Sequence, residues 1–359
     1  MKLGIITFHQ ALNYGAILQT YALQHFLTEH FPEAEVQVVD YRCPKLSGVY
    51  TLKGQPGLSP FKKVIKTGHF FLKKAQFNRF IRSYITVSPK TYRPETVAEA
   101  NDAFDIFLAG SDQIWNPTLT DGDTNYLLEF AGEEKRYSYA ASIGLAELPQ
   151  DKKACYRGLL GTFQGLSVRE KTAKSILEDL DPGWNVSVHP DPVLLLEQVH
   201  WDKVCQKAKH HTKDFVFVFA VEYSEKLIRD AAEFAEKKGL DAIYIGPHRE
   251  KVPAPVRYLP IVSLPGLLSF FRDARYVMVN SFHGTVFSLV FHKDFYVSLN
   301  HRDGRNSRIE NLLELTGLVH RTDLQAMDTR EDWIRVDEVI AQQRCSAKEY
   351  LGWVLKNEN

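Results

Sequence analysis

Cysteine is scarce in this chain of 359 residues: four in all, Cys43, Cys155, Cys205 and Cys345, with no C-x-x-C pair. Thiols scattered in this way through a long chain read as free groups in a reducing compartment, not as a disulfide framework. An excess of either charge is also missing. Lys plus Arg and Asp plus Glu each number 44, a formal net charge of zero, which argues against a nucleic-acid partner. A local cationic cleft is still allowed, because net charge says nothing about distribution. There is no run of about 18 apolar residues, so no membrane-spanning helix is expected. Residues 1–8 are apolar, but polar His9, Gln10 and Asn13 follow without a small-residue cleavage site. A first β-strand fits that stretch better than a signal peptide, and the expected location is cytoplasmic. The histidines and cysteines show no zinc spacing, and there is no dinucleotide fingerprint, P-loop lysine or G-x-S-x-G elbow. Asp121-Gly122-Asp123 sits in a turn-rich stretch, so no metal is expected.

What is present is a repeated α/β pattern. At about 100–200 residues per domain the length suggests two domains. Strand 1–8, a glycine-containing turn, a helix to about Glu29 and strand Val36–Asp40 form a βαβ unit. Strands are expected at Phe104–Ala109, Arg136–Ser142, Leu166–Val168 and Val186–Val188, with Asp191 to Gln198 as the link to a second series. That series runs through strand Phe215–Val221, helix Glu225–Lys238, strand Ala242–Ile245, helix Ser263–Arg272, strand Tyr276–Val279, helix Gly284–Phe291 and strand Phe295–Leu299. Strands that are apolar throughout belong to parallel sheets covered on both faces. The expected organisation is an N-terminal domain over 1–198 with an insertion at about 43–100, a C-terminal domain over 199–325, and a helical segment over 326–359 that packs back across both. Pro, Gly, Ser and Lys dominate 43–60. The segment Phe61–Ser83 is basic and aromatic, with Lys62, Lys63, Lys66, Lys73, Lys74, Arg79 and Arg82. It reads either as a solvated helix face or as a contact for an anionic acceptor or the inner membrane surface.

Ligands of open α/β sheets bind at the carboxyl ends of strands. Four such ends carry polar groups. Asn13-Tyr14-Gly15-Ala16 follows the first strand, where a glycine at a helix start lets backbone N–H groups approach an anion. Ser111, Asp112, Gln113 and Trp115 cluster in Gly110 to Pro117, a combination suited to sugar hydroxyls and a sugar ring, although an Asp cap beside a core Trp would look the same. Arg169, in Ser167-Val168-Arg169-Glu170, could fork onto a carboxylate or phosphate, or simply pair with Glu170. Ser281-Phe282-His283-Gly284 puts a histidine where a strand meets a helix N-terminus, a place that favours anions and suits proton transfer near neutral pH. Arg302, Arg305 and Arg308 follow in a turn-rich loop.

These stretches, with His189-Pro190-Asp191-Pro192 and Asn306-Ser307-Arg308-Ile309, resemble the polysaccharide pyruvyl transferases in their order along residues 1 to about 317. The 43–100 region matches nothing in that pattern. The resemblance implies two Rossmann-like domains with parallel sheets facing across a cleft, as in the GT-B glycosyltransferases, with the acceptor on the side of 1–198 and the donor on the side of 199–325. It implies phosphoenolpyruvate as co-substrate, no further cofactor, and a saccharide acceptor, free, nucleotide-linked or lipid-linked, in bacterial surface-polysaccharide synthesis. It also implies that Arg169 and His283 engage the donor. On that basis the expected donor group is Arg169, Ser281, His283, Gly284, Arg305 and Arg308. The expected acceptor group is Asn13, Tyr14, Gly15, Ser111, Asp112, Gln113 and Trp115, and the catalytic group is His283, Arg169 and Asp112. Two other functions suit the same fold: a nucleotide-sugar glycosyltransferase, with Glu310 or Glu314 on a ribose, and a non-catalytic saccharide-binding protein.

Overall fold

A computed structural model describes residues 1–49, 60–205, 214–247, 252–253, 255–299 and 306–356. Two five-stranded parallel sheets organise it. The first is built from β1 (Lys2–Ile6), β2 (Glu35–Tyr41), β3 (Val87–Tyr92), β4 (Ile106–Ala109) and β5 (Arg136–Ser138), in the order β3-β2-β1-β4-β5. A parallel pair, β6 (Leu166–Val168) and β7 (Val186–Val188), prolongs it through bridges Tyr137 to Gly165 and Ala141 to Val168. The second sheet holds β8 (Phe215–Phe219), β9 (Asp241–Ile245), β10 (Val256–Tyr258), β11 (Tyr276–Val279) and β12 (Asp294–Val297), in the order β10-β9-β8-β11-β12. Each sheet therefore places its first strand at the centre and reverses direction between its first and fourth strands. That reversal opens a crevice at the carboxyl ends.

Local sequence accounts for these elements. Every residue of β8 is buried, as a strand with helices on both faces requires. The helix Glu225–Lys238 starts at Ser224, whose side chain accepts from the Leu227 N–H, and stops at Gly239 in the left-handed region (φ 65°). Its apolar face, Leu227, Ile228, Ala231 and Ala235, is buried. The basic segment forms one helix, Pro60–Tyr84, which inserts Phe77, Phe80 and Ile81 into the core. Of the stretch before it, Pro44–Val49 is a short helix and 50–59 lie outside the described residues. Strand β3, Val-Ser-Pro-Lys-Thr-Tyr, lacks a strand pattern in sequence because it carries a proline and a lysine; both are tolerated at the sheet edge it occupies.

The two halves share a continuous apolar core. Trp201, fully buried, touches Tyr21 on one side and Phe287 on the other, with ring centroids 5.7 and 5.2 Å away. The C-terminal helix Trp333–Lys356 crosses back as expected. It begins with Trp333 stacked on His292 of the second half and ends with the Tyr350 hydroxyl donating to the Ser138 carbonyl of the first, at 2.8 Å. No helix among the described residues is long and apolar enough to cross a membrane.

Candidate active site

Arg169, at the end of β6, is buried and is the centre of the polar cluster. Its Nε and Nη2 donate to Ser111 Oγ at 3.2 and 2.6 Å, and Nη2 lies 2.9 Å from Asp191 Oδ2. Nη1 lies 3.6 Å from Asp112 Oδ1 and has no hydrogen-bond partner. Asp191 follows β7 and is fully buried at its carboxylate; Oδ1 accepts from the Val193 N–H at 2.9 Å. Burial alone would raise its pKa. Arg169, and then His283 with its Nε2 3.4 Å away, overcome that and hold the carboxyl down at about 2. Asp191 therefore joins the cation of the first half to the histidine of the second.

His283 stands in the first turn of the helix Phe282–Val290, which Ser281 caps by accepting from the Gly284 N–H at 3.2 Å. Facing it is the start of the helix Tyr14–His30, where Asn13 accepts from the N–H groups of Gly15 and Ala16. The approach is so close that a Cβ on Gly15 would lie 2.1 Å from His283 Nδ1. Glycine is required there for contact between the halves. Two helix N-termini, each with a partial positive charge, thus converge beside Arg169.

Arg308, from the helix Ser307–Thr316, completes the cluster. Its guanidinium and that of Arg169 lie 5.5 and 5.2 Å from the Phe282 ring centroid. The Gln113 amide, with oxygen assigned toward Arg308 because only that orientation pairs donor with acceptor, accepts from Nη1 at 3.1 Å. Burial, and next the charge of Arg169, lower the Arg308 pKa; a guanidinium still stays charged. Its Nε is buried without a partner. Beside these residues is a cavity of about 360 Å³ lined by Arg169, Lys171, Lys174 and Arg308 with Asp191 and Phe282. Four cations face one carboxylate across an apolar wall. Such a site takes a small polyanion, with free N–H groups on Arg169 and Arg308 left to bind it.

The structure brings together Arg169, Ser111, Asp112, Gln113, Gly15, Ser281, His283, Gly284 and Arg308. Ser111 and Asp112 stand against Arg169, and Gln113 against Arg308, so all three adjoin the cationic cluster. Trp115 requires a correction: it is fully buried and donates to the Tyr126 carbonyl at 3.0 Å, so its ring cannot stack on a sugar. The Tyr14 hydroxyl is committed to the Val262 carbonyl at 2.7 Å, and the Asn13 side chain to its cap. Arg305 and Arg302 lie outside the described residues. Glu170 does not form a surface pair with Arg169. It is buried, and Oε1 accepts from Ser142 Oγ and the N–H groups of Ile143 and Gly144. Asp191 is not among the expected site residues, although it lies in the His189–Pro192 stretch that carries the family resemblance; that stretch and its position after a strand end are the available signals.

The architecture and the cleft define a GT-B-like protein with two Rossmann-type halves. Solved structures share the fold at low identity. The UDP-GlcNAc 2-epimerase of Neisseria meningitidis, bound to UDP-GlcNAc, is 12% identical, covers 99% of each chain and gives a TM-score of 0.51. The UDP-GlcNAc 2-epimerase of Methanocaldococcus jannaschii, in complex with UDP-GlcNAc and UDP, is 10% identical, covers 99% of this chain and 100% of its own, and also gives 0.51. These likenesses speak for the fold alone. No curated protein sequence matches. The family model for polysaccharide pyruvyl transferase matches residues 13–302, and the chain belongs to that family.

Proposed function

We propose that this transferase moves the enolpyruvyl group of phosphoenolpyruvate onto two hydroxyls of a saccharide, forming a pyruvate ketal and releasing phosphate. The observation that carries the reading is the cluster of unpaired guanidinium N–H groups on Arg169 and Arg308 between two converging helix N-termini. Phosphoenolpyruvate bears a carboxylate and a phosphate on three carbons, which suits two arginines and helix N-termini.

In the proposed reaction a proton goes to the donor's methylene carbon, which leaves the central carbon electrophilic. One sugar hydroxyl attacks that carbon and the C–O bond to phosphate breaks. The second hydroxyl then closes the ring. One hydroxyl proton replaces the proton delivered to the methyl group, and the other leaves with phosphate. His283 is the general acid or a phosphate contact, oriented by Asp191. Arg169 clamps the donor, and Asp112, beside Nη1, activates the attacking hydroxyl. The acceptor would enter from the first half. A cavity of about 320 Å³ there is lined by Gln10, Tyr41, Arg42, Phe70, Phe71 and Lys74, and supplies the aromatic surface that Trp115 does not.

The test is calorimetry with phosphoenolpyruvate on the whole chain and on Arg169→Ala. Binding to the wild type that weakens at least about a hundredfold in the variant supports the reading, since a charge-assisted bidentate contact is lost. No binding to the wild type, with or without an added saccharide panel, combined with binding of UDP- or GDP-sugars, would replace it with the glycosyltransferase reading.

A further inference from the structure

The groups around the cleft do not account for a second polar cluster, on the joint between the halves. His25 and Glu29 lie four residues apart on one face of the helix Tyr14–His30. His200 comes from the helix Gln198–Val204, in the segment that leads from the first sheet to the second. His200 Nε2 is 3.3 Å, and His25 Nε2 3.8 Å, from the same oxygen, Glu29 Oε2. One ligand atom from each residue falls within 4.8 Å of the other two.

At 3.8 Å His25 Nε2 is beyond hydrogen-bond distance of the carboxylate, so direct pairing does not join all three side chains. A divalent cation between them would take one ligand atom from each residue: the two Nε2 atoms and Glu29 Oε2. With metal–ligand bonds of about 2.0–2.1 Å, the edge of a tetrahedron is about 3.3–3.4 Å; the His200 spacing of 3.3 Å matches that edge, and the His25 spacing of 3.8 Å needs a small closing movement of the exposed Glu29. Two histidine nitrogens and one carboxylate form a donor set that suits zinc, with water in the fourth place.

The rings are already held in place. His25 stacks on Tyr21 with centroids 5.4 Å apart, and the two imidazoles meet edge to face at 5.6 Å. Trp201, the neighbour of His200, packs between Tyr21 and Phe287. No large side-chain movement is needed to close the cage.

We propose that His25, Glu29 and His200 form a zinc site that clips the first helix to the connecting helix. Its place in the fold gives it a consequence. The same first helix begins at Gly15, against His283, so a metal on its far end fixes the joint across which the two helix N-termini meet. The sequence hides this site, because the third ligand is remote in the chain and the first two lack a recognised zinc motif.

The test uses the whole chain with the exposed Cys155 and Cys345 replaced by serine, to remove competing thiols. Zinc is titrated against a chromogenic chelator, and thermal unfolding is followed with and without it. The expected result is one zinc per chain at micromolar affinity or tighter, and a higher Tm with zinc. Affinity should fall at least about tenfold in each of Glu29→Gln, His25→Gln and His200→Gln, with loss of the Tm increment. Glu29 is exposed, so its variant tests the site without endangering the core. Unchanged affinity in the three variants, or no binding below about 100 µM zinc, would overturn the proposal. Neither result bears on phosphoenolpyruvate binding.

Discussion

The two halves have the same strand order but are loaded with chemistry very differently. In the first, the ends of β1, β4, β6 and β7 present Asn13, Asp112, Arg169 and Asp191. In the second, the end of β11 presents His283, and Arg308 reaches in from a following helix. The central strand β8 ends in Phe219 and Ala220, and the backbone beyond it is tied down by Asn280, which donates to the Glu222 carbonyl and accepts from the Val221 N–H. Topology thus supplies two equivalent crevices, and the residues make a charged site where they face each other. The fold provides the place, and the side chains decide its use.

The largest effect should come from breaking the first half's contribution. Arg169→Ala removes the donor clamp and strips Asp191 of its main partner in the interior. We expect kcat/KM, followed by phosphate release, to fall about a thousandfold or more. Stability should fall by roughly 3–5 kcal/mol, because a buried carboxylate loses its nearest cationic partner. An Arg308→Ala variant that lost as much activity while Arg169→Ala lost little would reverse the comparison and place the donor in the second half.

Acid should act on the first half through His189. This residue is buried after β7, with Nδ1 2.8 Å from Ser167 Oγ and its ring against Tyr139 and Tyr350. Burial lowers its pKa to about 4. The unfolded chain, with a pKa near 6.5, binds that proton first. Stability is therefore undiminished above about pH 6.5 and declines toward pH 4, by roughly 3 kcal/mol in total from this group. Between pH 7 and 5 about 2 kcal/mol should disappear in urea unfolding, and His189→Gln should lose much less. Asp191 acts in a different window. Its depressed pKa contributes stability above about pH 3.9 that is lost only as the pH falls through about 2.

Gly15→Ala tests how closely the halves must meet. The added methyl would overlap the His283 ring, so the imidazole must turn away from Asp191 or the helices must part. Turnover should drop about tenfold or more, since small misplacement at a reacting centre is costly. A variant with unchanged kcat would show that His283 does not need this contact.

Much of this was legible because the signals were local. The apolar runs of β8 and β11 and the caps at Ser224 and Ser281 mark their own elements. Arg169, His283 and Arg308 stood out as polar groups at strand or helix ends. What escaped depended on distant partners. Asp191 looks like a linker residue until β6 and β11 bring Arg169 and His283 to it. Trp115 has the composition of a sugar platform, but Tyr126 and Phe163 enclose it. Its indole is thus spent on the core, and Glu170 is spent on holding the 142–144 backbone. Residue type gave the chemistry in both cases, and tertiary packing decided where it was applied.

The smallest expected effect concerns Tyr14, which bridges the halves without joining the cationic cluster. Its hydroxyl donates to the Val262 carbonyl, and its ring lies against Phe77 and Phe219, with Lys73 above it at 5.1 Å. Burial raises its pKa to about 12, so it remains a neutral donor at any working pH. Tyr14→Phe keeps the packing and removes one hydrogen bond, which should cost about 1 kcal/mol in unfolding. If Tyr14 is only a bridge, KM for the saccharide should not change, and the acceptor role expected for it from sequence is lost. A rise in that KM with stability held constant would instead bring the acceptor up to the joint, and extend the charged site into the contact between the halves.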